Sequence, residues 1–129
     1  MASIHREAHV DVSADQAWAA VRDYGAAHRR LFPGILEDVR LEDDLRVVTF
    51  TNGMVLRERI VDVDDDARRF VYASVGGRTT HHNSSIQVLA DGTGCRLVWI
   101  TDLLPHDLKD SITQLVDAGM KTMKATLER

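Results

Sequence analysis

The sequence predicts an α+β fold: a curved antiparallel β-sheet of about seven strands wrapped around a long C-terminal helix, with two short helices after strand 1. Three observations predict it. Residues 35–104 read as six consecutive strand-like runs separated by turn signals, among them Asn52-Gly53, Asp64-Asp65-Asp66 and Gly76-Gly77. Beyond Pro105 the period changes, with Leu108, Ile112, Leu115, Val116, Met120, Met123 and Leu127 at helical spacing. No internal repeat, linker or low-complexity stretch interrupts the pattern, so residues 1–129 are expected to form a single domain.

Each element has its own warrant. Ile4, Arg6, Ala8, Val10 and Val12 alternate with His5, Glu7, His9 and Asp11, the pattern of a first strand. Ser13-Ala14-Asp15-Gln16 then forms a capping box: the serine can accept from the Gln16 amide while the glutamine side chain reaches back, and Asp15 suits the positive helix end. This helix falters near Gly25, and a second helical piece over 26–32 stops before Pro33-Gly34. Strands follow at 35–41, 46–51, 55–63, 69–75, 79–89 and 95–103, the last two joined by Ala90-Asp91-Gly92-Thr93-Gly94. The final helix, of roughly five to six turns at 3.6 residues each, has Asp107 and Asp110 near its start and Lys121, Lys124 and Arg129 near its end, as the dipole prefers. Gly119 lies inside its apolar stripe, where glycine costs about 1 kcal/mol against alanine. Either a strand or a ligand must approach closely there.

Composition narrows the function classes. Sixteen Lys plus Arg against twenty Asp plus Glu give a net charge of −4 with the cations scattered, which argues against nucleic acid and anionic membrane as partners. No apolar run nears the roughly 20 residues of a membrane span, and no charged-then-apolar leader opens the chain, so a cytoplasmic protein without membrane insertion is expected. A single cysteine, Cys95, excludes an internal disulfide and a cysteine-rich metal framework.

The most informative stretch is Thr79-Thr80-His81-His82-Asn83-Ser84-Ser85, seven polar residues running into the apolar Ile86 and Val88. Alternation continues the inward set from Ile86 and Val88 back through Ser84, His82 and Thr80, leaving His81, Asn83 and Ser85 toward solvent. Half of this strand then faces a polar cavity and half faces water. In the 55–63 strand Leu56, Glu58 and Ile60 oppose Arg57, Arg59 and Val61, which makes Glu58 an inward carboxylate. Leu97, Trp99, Thr101 and Leu103 form one set on the last strand, and Asp102 points inward only across a bulge. In the 69–75 strand alternation alone does not choose between Phe70, Tyr72 and Ser74 and the opposite set.

The element order, together with Arg57-Glu58-Arg59-Ile60-Val61-Asp62-Val63-Asp64-Asp65-Asp66-Ala67-Arg68-Arg69-Phe70-Val71-Tyr72, the Gly-Gly turn, the Ala-Asp-Gly-Thr-Gly hairpin and Arg96-Leu97-Val98-Trp99, resembles the START-like (SRPBCC) superfamily, specifically its bacterial polyketide cyclase/dehydrase-type members. The resemblance covers essentially the whole chain. It implies a helix-grip fold with a cavity between the concave sheet and the long helix, commonly holding an apolar or aromatic small molecule. It also implies that Phe70, Tyr72 and Ser74 turn inward, and that the position of Glu58 is a pocket position, as in the plant hormone-receptor members.

The expected ligand-binding set is therefore Leu56, Glu58, Ile60, Phe70, Tyr72, Ser74, Thr80, His82, Ser84, Trp99, Thr101, Ile112, Val116, Gly119 and Met120. A mostly apolar pocket with a few convergent polar groups is the usual form of a small-ligand site. Two functions fit it. One is binding of a small hydrophobic or aromatic molecule, with Glu58, Tyr72 and His82 orienting a hydroxyl, carbonyl or carboxyl group. The other is a cofactor-independent cyclase or dehydratase, in which His82 or Glu58 removes a proton next to a carbonyl and Tyr72 donates to the developing enolate.

Structural roles compete for the same residues. Glu58 can pair with an arginine or accept from a tyrosine hydroxyl, His82 can be a satisfied core histidine, and the final-helix methionines can be packing. His81 and His82 point to opposite faces of a strand and cannot chelate one metal, and no cofactor is expected. The aspartates at 62–66 lack the glycine and glutamate of a calcium loop, and no G-x-S-x-G marks a serine nucleophile. The chain is expected to be a monomer or a homodimer.

Overall fold

The structure, a computed structural model, describes residues 2–129. The first strand, β1 (Ala2–Val10), leads into α1 (Ala14–Arg22), a 3-10 turn (Tyr24–Ala26) and the one-turn α2 (Ala27–Arg30). Six strands follow: β2 (Leu36–Glu42), β3 (Leu45–Phe50), β4 (Val55–Asp64), β5 (Arg69–Val75), β6 (His81–Asp91) and β7 (Gly94–Leu104). A 3-10 turn (His106–Leu108) then starts the last helix, α3 (Lys109–Leu127).

All seven strands form one antiparallel sheet in the order β1-β7-β6-β5-β4-β3-β2, so the chain's first strand closes against its last. This is the helix-grip arrangement. The concave face of the sheet, the α1 face carrying Ala14, Ala17, Trp18 and Val21, and the inner side of α3 share one core.

The local signals explain why the elements begin and end where they do. At α1 the Gln16 amide donates to Ser13 Oγ at 3.2 Å and the Ser13 amide donates to Gln16 Oε1 at 3.4 Å, so the capping box is complete. The helix is tied to the β4–β5 turn by Trp18 Nε1 donating to Asp65 Oδ1 at 2.9 Å, with Arg22 Nε on the same oxygen at 2.8 Å. Part of the aspartate run therefore anchors a helix. Gly76 and Gly77 both take positive φ, 74° and 73°, a pair of conformations that glycine alone adopts without Cβ strain. β1 stops at Val10, two residues before the alternation does, and β6 begins at His81 rather than Thr79.

Two irregularities shape the concave face. In the β4–β5 ladder Ile60 opposes Tyr72 and Asp62 opposes Val71, so Val61 is an extra, bulged residue and the inward phase passes from Ile60 to Val63. The β5–β6 ladder runs from Arg69/Gln87 only as far as Tyr72/Ser84 and then opens, although β6 continues pairing with β7 through His81/Leu104. Ser85, expected in solvent, is buried on the convex side beside its partner Val71.

Candidate functional site

Between the sheet and the first half of α3 lies a cavity of about 350 Å³. Its apolar walls come from four directions: Phe32 and Leu36 after α2, Val48 and Phe50 on β3, Trp99 on β7, and Leu108, Ile112, Leu115, Val116 and Gly119 along the helix. It opens at the β3–β4 and β5–β6 turns, where the exposed Met54, Val55, Gly76, Gly77 and Arg78 border it.

The polar floor is built from β3 and β4. Arg46 and Glu58 are directly opposite each other in the ladder and are 5% and 8% exposed, so neither charge can be left unpaired. Arg46 Nε donates to Glu58 Oε1 at 2.8 Å and its Nη1 donates to the Tyr24 carbonyl at 3.1 Å. Oε2 of Glu58 makes no hydrogen bond among the described residues. The guanidinium carbon also lies 5.1 Å from the Phe70 ring centre and 5.0 Å from that of Tyr72, within cation–π range. Four rings continue the floor as a row. Tyr24 stacks on Phe70 at 5.7 Å, Phe70 on Tyr72 at 5.4 Å, and Tyr72 meets His82 at 6.0 Å.

The second polar wall comes from β6 and β7. Ser84 and Thr101 are cross-strand partners whose hydroxyls hydrogen-bond, and Trp99 Nε1 donates to Ser84 Oγ at 3.4 Å. Burial, followed by the nearby Glu58 carboxylate, pushes the Tyr72 phenol up to about 12, against the opposing pull of Arg46, Ser84 and Trp99. Tyr72 is therefore a neutral hydroxyl able to donate throughout the physiological range.

His82 occupies the point where β5 and β6 separate. Its Nδ1 accepts the Ser74 backbone N–H at 3.0 Å, replacing the carbonyl that a continued ladder would have supplied. An accepting Nδ1 in a neutral ring places the proton on Nε2. Burial first of all lowers the pKa of this histidine, with Glu58 opposing and His81 assisting, so the neutral form is the resting one.

The cavity brings together Leu56, Glu58, Tyr72, Ser74, His82, Ser84, Trp99, Thr101, Ile112, Val116 and Gly119. Four other expected residues do not border it. Phe70 turns inward but is covered by Tyr24 and Tyr72, and Ile60 lies beyond the Arg46–Glu58 pair, just before the bulge. Thr80 falls in the turn, is exposed and gives its amide to the Leu104 carbonyl, while Thr79 borders the cavity instead. Met120 packs into the core because the cavity ends at Gly119. There the close approach comes from a strand residue: a Cβ on Gly119 would lie 3.0 Å from two indole carbons of Trp99 and 3.4 Å from Phe32. Asp102 stays on the opposite face, accepting from Ser3 Oγ at 2.5 Å.

Arg46 was absent from the expected set, although its signal was present. Val48 and Phe50 are inward by alternation, and the same count carried back two residues reaches Arg46. Arg78 was likewise overlooked, since its position depends on how the Gly-Gly turn folds over the opening.

No helix is long and apolar enough to cross a membrane among the described residues. Comparison with curated proteins yields no match. Among solved structures, the chain is similar to an uncharacterized protein from Bacillus thuringiensis, with TM-score 0.89, 16% identity, and 98% of each chain covered. It is also similar to truncated norcoclaurine synthase from Thalictrum flavum, with TM-score 0.76, 22% identity, 98% of this chain and 91% of that one covered. The same plant enzyme in complex with dopamine and hydroxybenzaldehyde superposes with TM-score 0.73 at 19% identity, over 98% of this chain and 84% of that one. These likenesses establish the fold. The family model described as polyketide cyclase / dehydrase and lipid transport matches residues 1–129, and the chain belongs to that START-like family.

Proposed function

We propose that the protein binds a small, largely apolar molecule between the sheet and α3, holding one acceptor-bearing end of it against Tyr72 and His82. The observation that carries this reading is an imbalance of hydrogen-bonding groups. The Tyr72 hydroxyl and the His82 Nε2–H implied by the Ser74 contact both border the cavity without donating to an acceptor among the described residues. These are two donors against the single free acceptor Glu58 Oε2, while the Trp99 indole N–H is already given to Ser84. A carbonyl, phenolate or carboxyl oxygen satisfies such a group of donors, and an aliphatic or aromatic body matches the walls. The small aromatic compounds bound by the norcoclaurine synthase neighbour are of a size in keeping with this space.

Native mass spectrometry of the purified protein, repeated after denaturation, tests the proposal alongside the cavity-filling variant Ile112→Trp. A discrete small molecule carried by the wild type and lost in the variant supports it. If neither protein carries a ligand and neither takes up a hydrophobic fluorescent probe, the proposal fails.

A second reading, cyclase or dehydratase chemistry, is favoured by one observation: Glu58 keeps Oε2 free beside a neutral tyrosine. Glu58 would remove the proton flanked by two carbonyls, and Tyr72 would donate to the enolate oxygen. His82 serves this reaction as a donor, since its lone pair is already committed to Ser74. Deuterium uptake by a cyclic β-diketone, accelerated by wild type and not by Glu58→Gln, is the expected result. Equal rates for the two proteins would remove the enzymatic reading and leave the binding one.

A further inference from the structure

Resting on the binding reading above, we propose that the occupant is a monoanion, an apolar ring system bearing one carboxylate, and that Arg78 at the cavity mouth receives the charge. Besides His82 and Tyr72, three ionisable side chains border the cavity: Arg46, Glu58 and Arg78. Arg46 and Glu58 cancel each other in a 2.8 Å ion pair. The histidine and the tyrosine are neutral for the reasons given above. Two arginines against one glutamate leave the lining with a charge of +1, whereas the chain as a whole carries −4. The local sign therefore runs against the global one.

The uncompensated charge is that of Arg78. Ten of the sixteen Lys and Arg side chains lie within 4 Å of a carboxylate, and of the six that form no ion pair among the described residues only Arg78 borders the cavity. It follows the Gly76-Gly77 turn, whose left-handed backbone places it over the opening that Met54 and Val55 border from the other side. An exposed arginine above this cavity is complementary to an amphiphile whose carboxylate stays at the mouth while a carbonyl or hydroxyl at the far end of its ring system meets Tyr72 and His82. Guanidinium also offers two parallel donors to a carboxylate, which a phenol or a ketone would not use fully.

The test is an NMR titration of the full chain with a naphthalene carboxylate and with its neutral carboxamide, followed through the Trp99 indole N–H, on wild type and Arg78→Gln. The carboxylate is expected to bind at least about threefold more tightly than the amide, in the range of a single solvent-accessible ion pair. Arg78→Gln should abolish that preference, and high salt should reduce it in the wild type. Equal affinities in wild type, or a preference that survives in Arg78→Gln, would overturn the monoanion while the cavity still binds. If neither compound perturbs Trp99 in either protein, the binding reading itself falls, and this inference with it.

Discussion

The backbone amide of Ser74 donates to Nδ1 of His82 at the place where the β5–β6 ladder has opened. A side chain thus takes over a main-chain acceptor's part, and three consequences follow from that exchange. The strands can diverge without orphaning the amide, the gap borders the cavity, and the imidazole tautomer is fixed.

Protonating His82 removes its acceptor, and burial already disfavours the cation. Because the folded-state pKa is lowered below 6.5, the unfolded chain binds a proton that the folded one does not, and stability falls as pH drops through 6.5. Ring-nitrogen NMR shifts should show Nε2 protonated and Nδ1 bare at neutral pH. Chemical denaturation from pH 7 to 5 should lose a component that His82→Phe lacks, and an unchanged slope in that variant would count against the assignment.

Tyr72 behaves in the opposite sense. Its phenol ionises at about 12 in the folded protein against 10.0 in a free side chain, so its contribution is complete below pH 10 and is lost as pH rises toward 12. Phenolate absorbance followed against pH should contain a late step that Tyr72→Phe removes. A late step persisting in that variant would show that the burial argument fails.

Removing one partner of the Arg46–Glu58 pair should be far worse than removing both. Arg46→Ala leaves a carboxylate enclosed by rings and is expected to cost about 3–5 kcal/mol. Arg46→Met combined with Glu58→Leu should recover most of that loss, and urea unfolding of the single and double variants measures the coupling. Independent, additive losses would mean that the two charges are solvated separately.

Gly119→Ala sets two effects against each other. Alanine gains about 1 kcal/mol of helix propensity, but its Cβ would stand 3.0 Å from the Trp99 ring, and overpacking costs typically 1–3 kcal/mol, so a net loss of about 1 kcal/mol is expected. Thermal unfolding gives the sign and tryptophan emission reports displacement of the indole. Increased stability with unchanged emission would show that the ring moves aside freely.

How much of this was legible in the sequence differs from residue to residue. The Ser13–Gln16 box is a local signal, and local signals survive folding because every partner lies within one turn. Glu58 and Ser84 were placed by alternation, which holds while a strand remains regular. It failed at Thr80, where the count was carried across a turn, and it could not show that Tyr24 would cover Phe70 from a segment distant in sequence. Arg46 was missed for a related reason. A buried arginine looks prohibitive until the cross-strand register with Glu58 is known, and register is a relation between strands that neither strand states alone.

The division of α3 at Gly119 has a further consequence. Residues Ile112, Leu115, Val116 and Gly119 border the cavity, whereas Met120 and Met123 pack wholly into the core. One continuous helix therefore contains two segments of unequal resistance to local opening, since stability follows packing rather than backbone continuity. Amide deuterium exchange should be faster over 109–119 than over 120–127 in the empty protein, and an occupant would narrow that difference by mass action. The helix thereby becomes an internal gauge of occupancy, read at its first three turns and referenced to its last two.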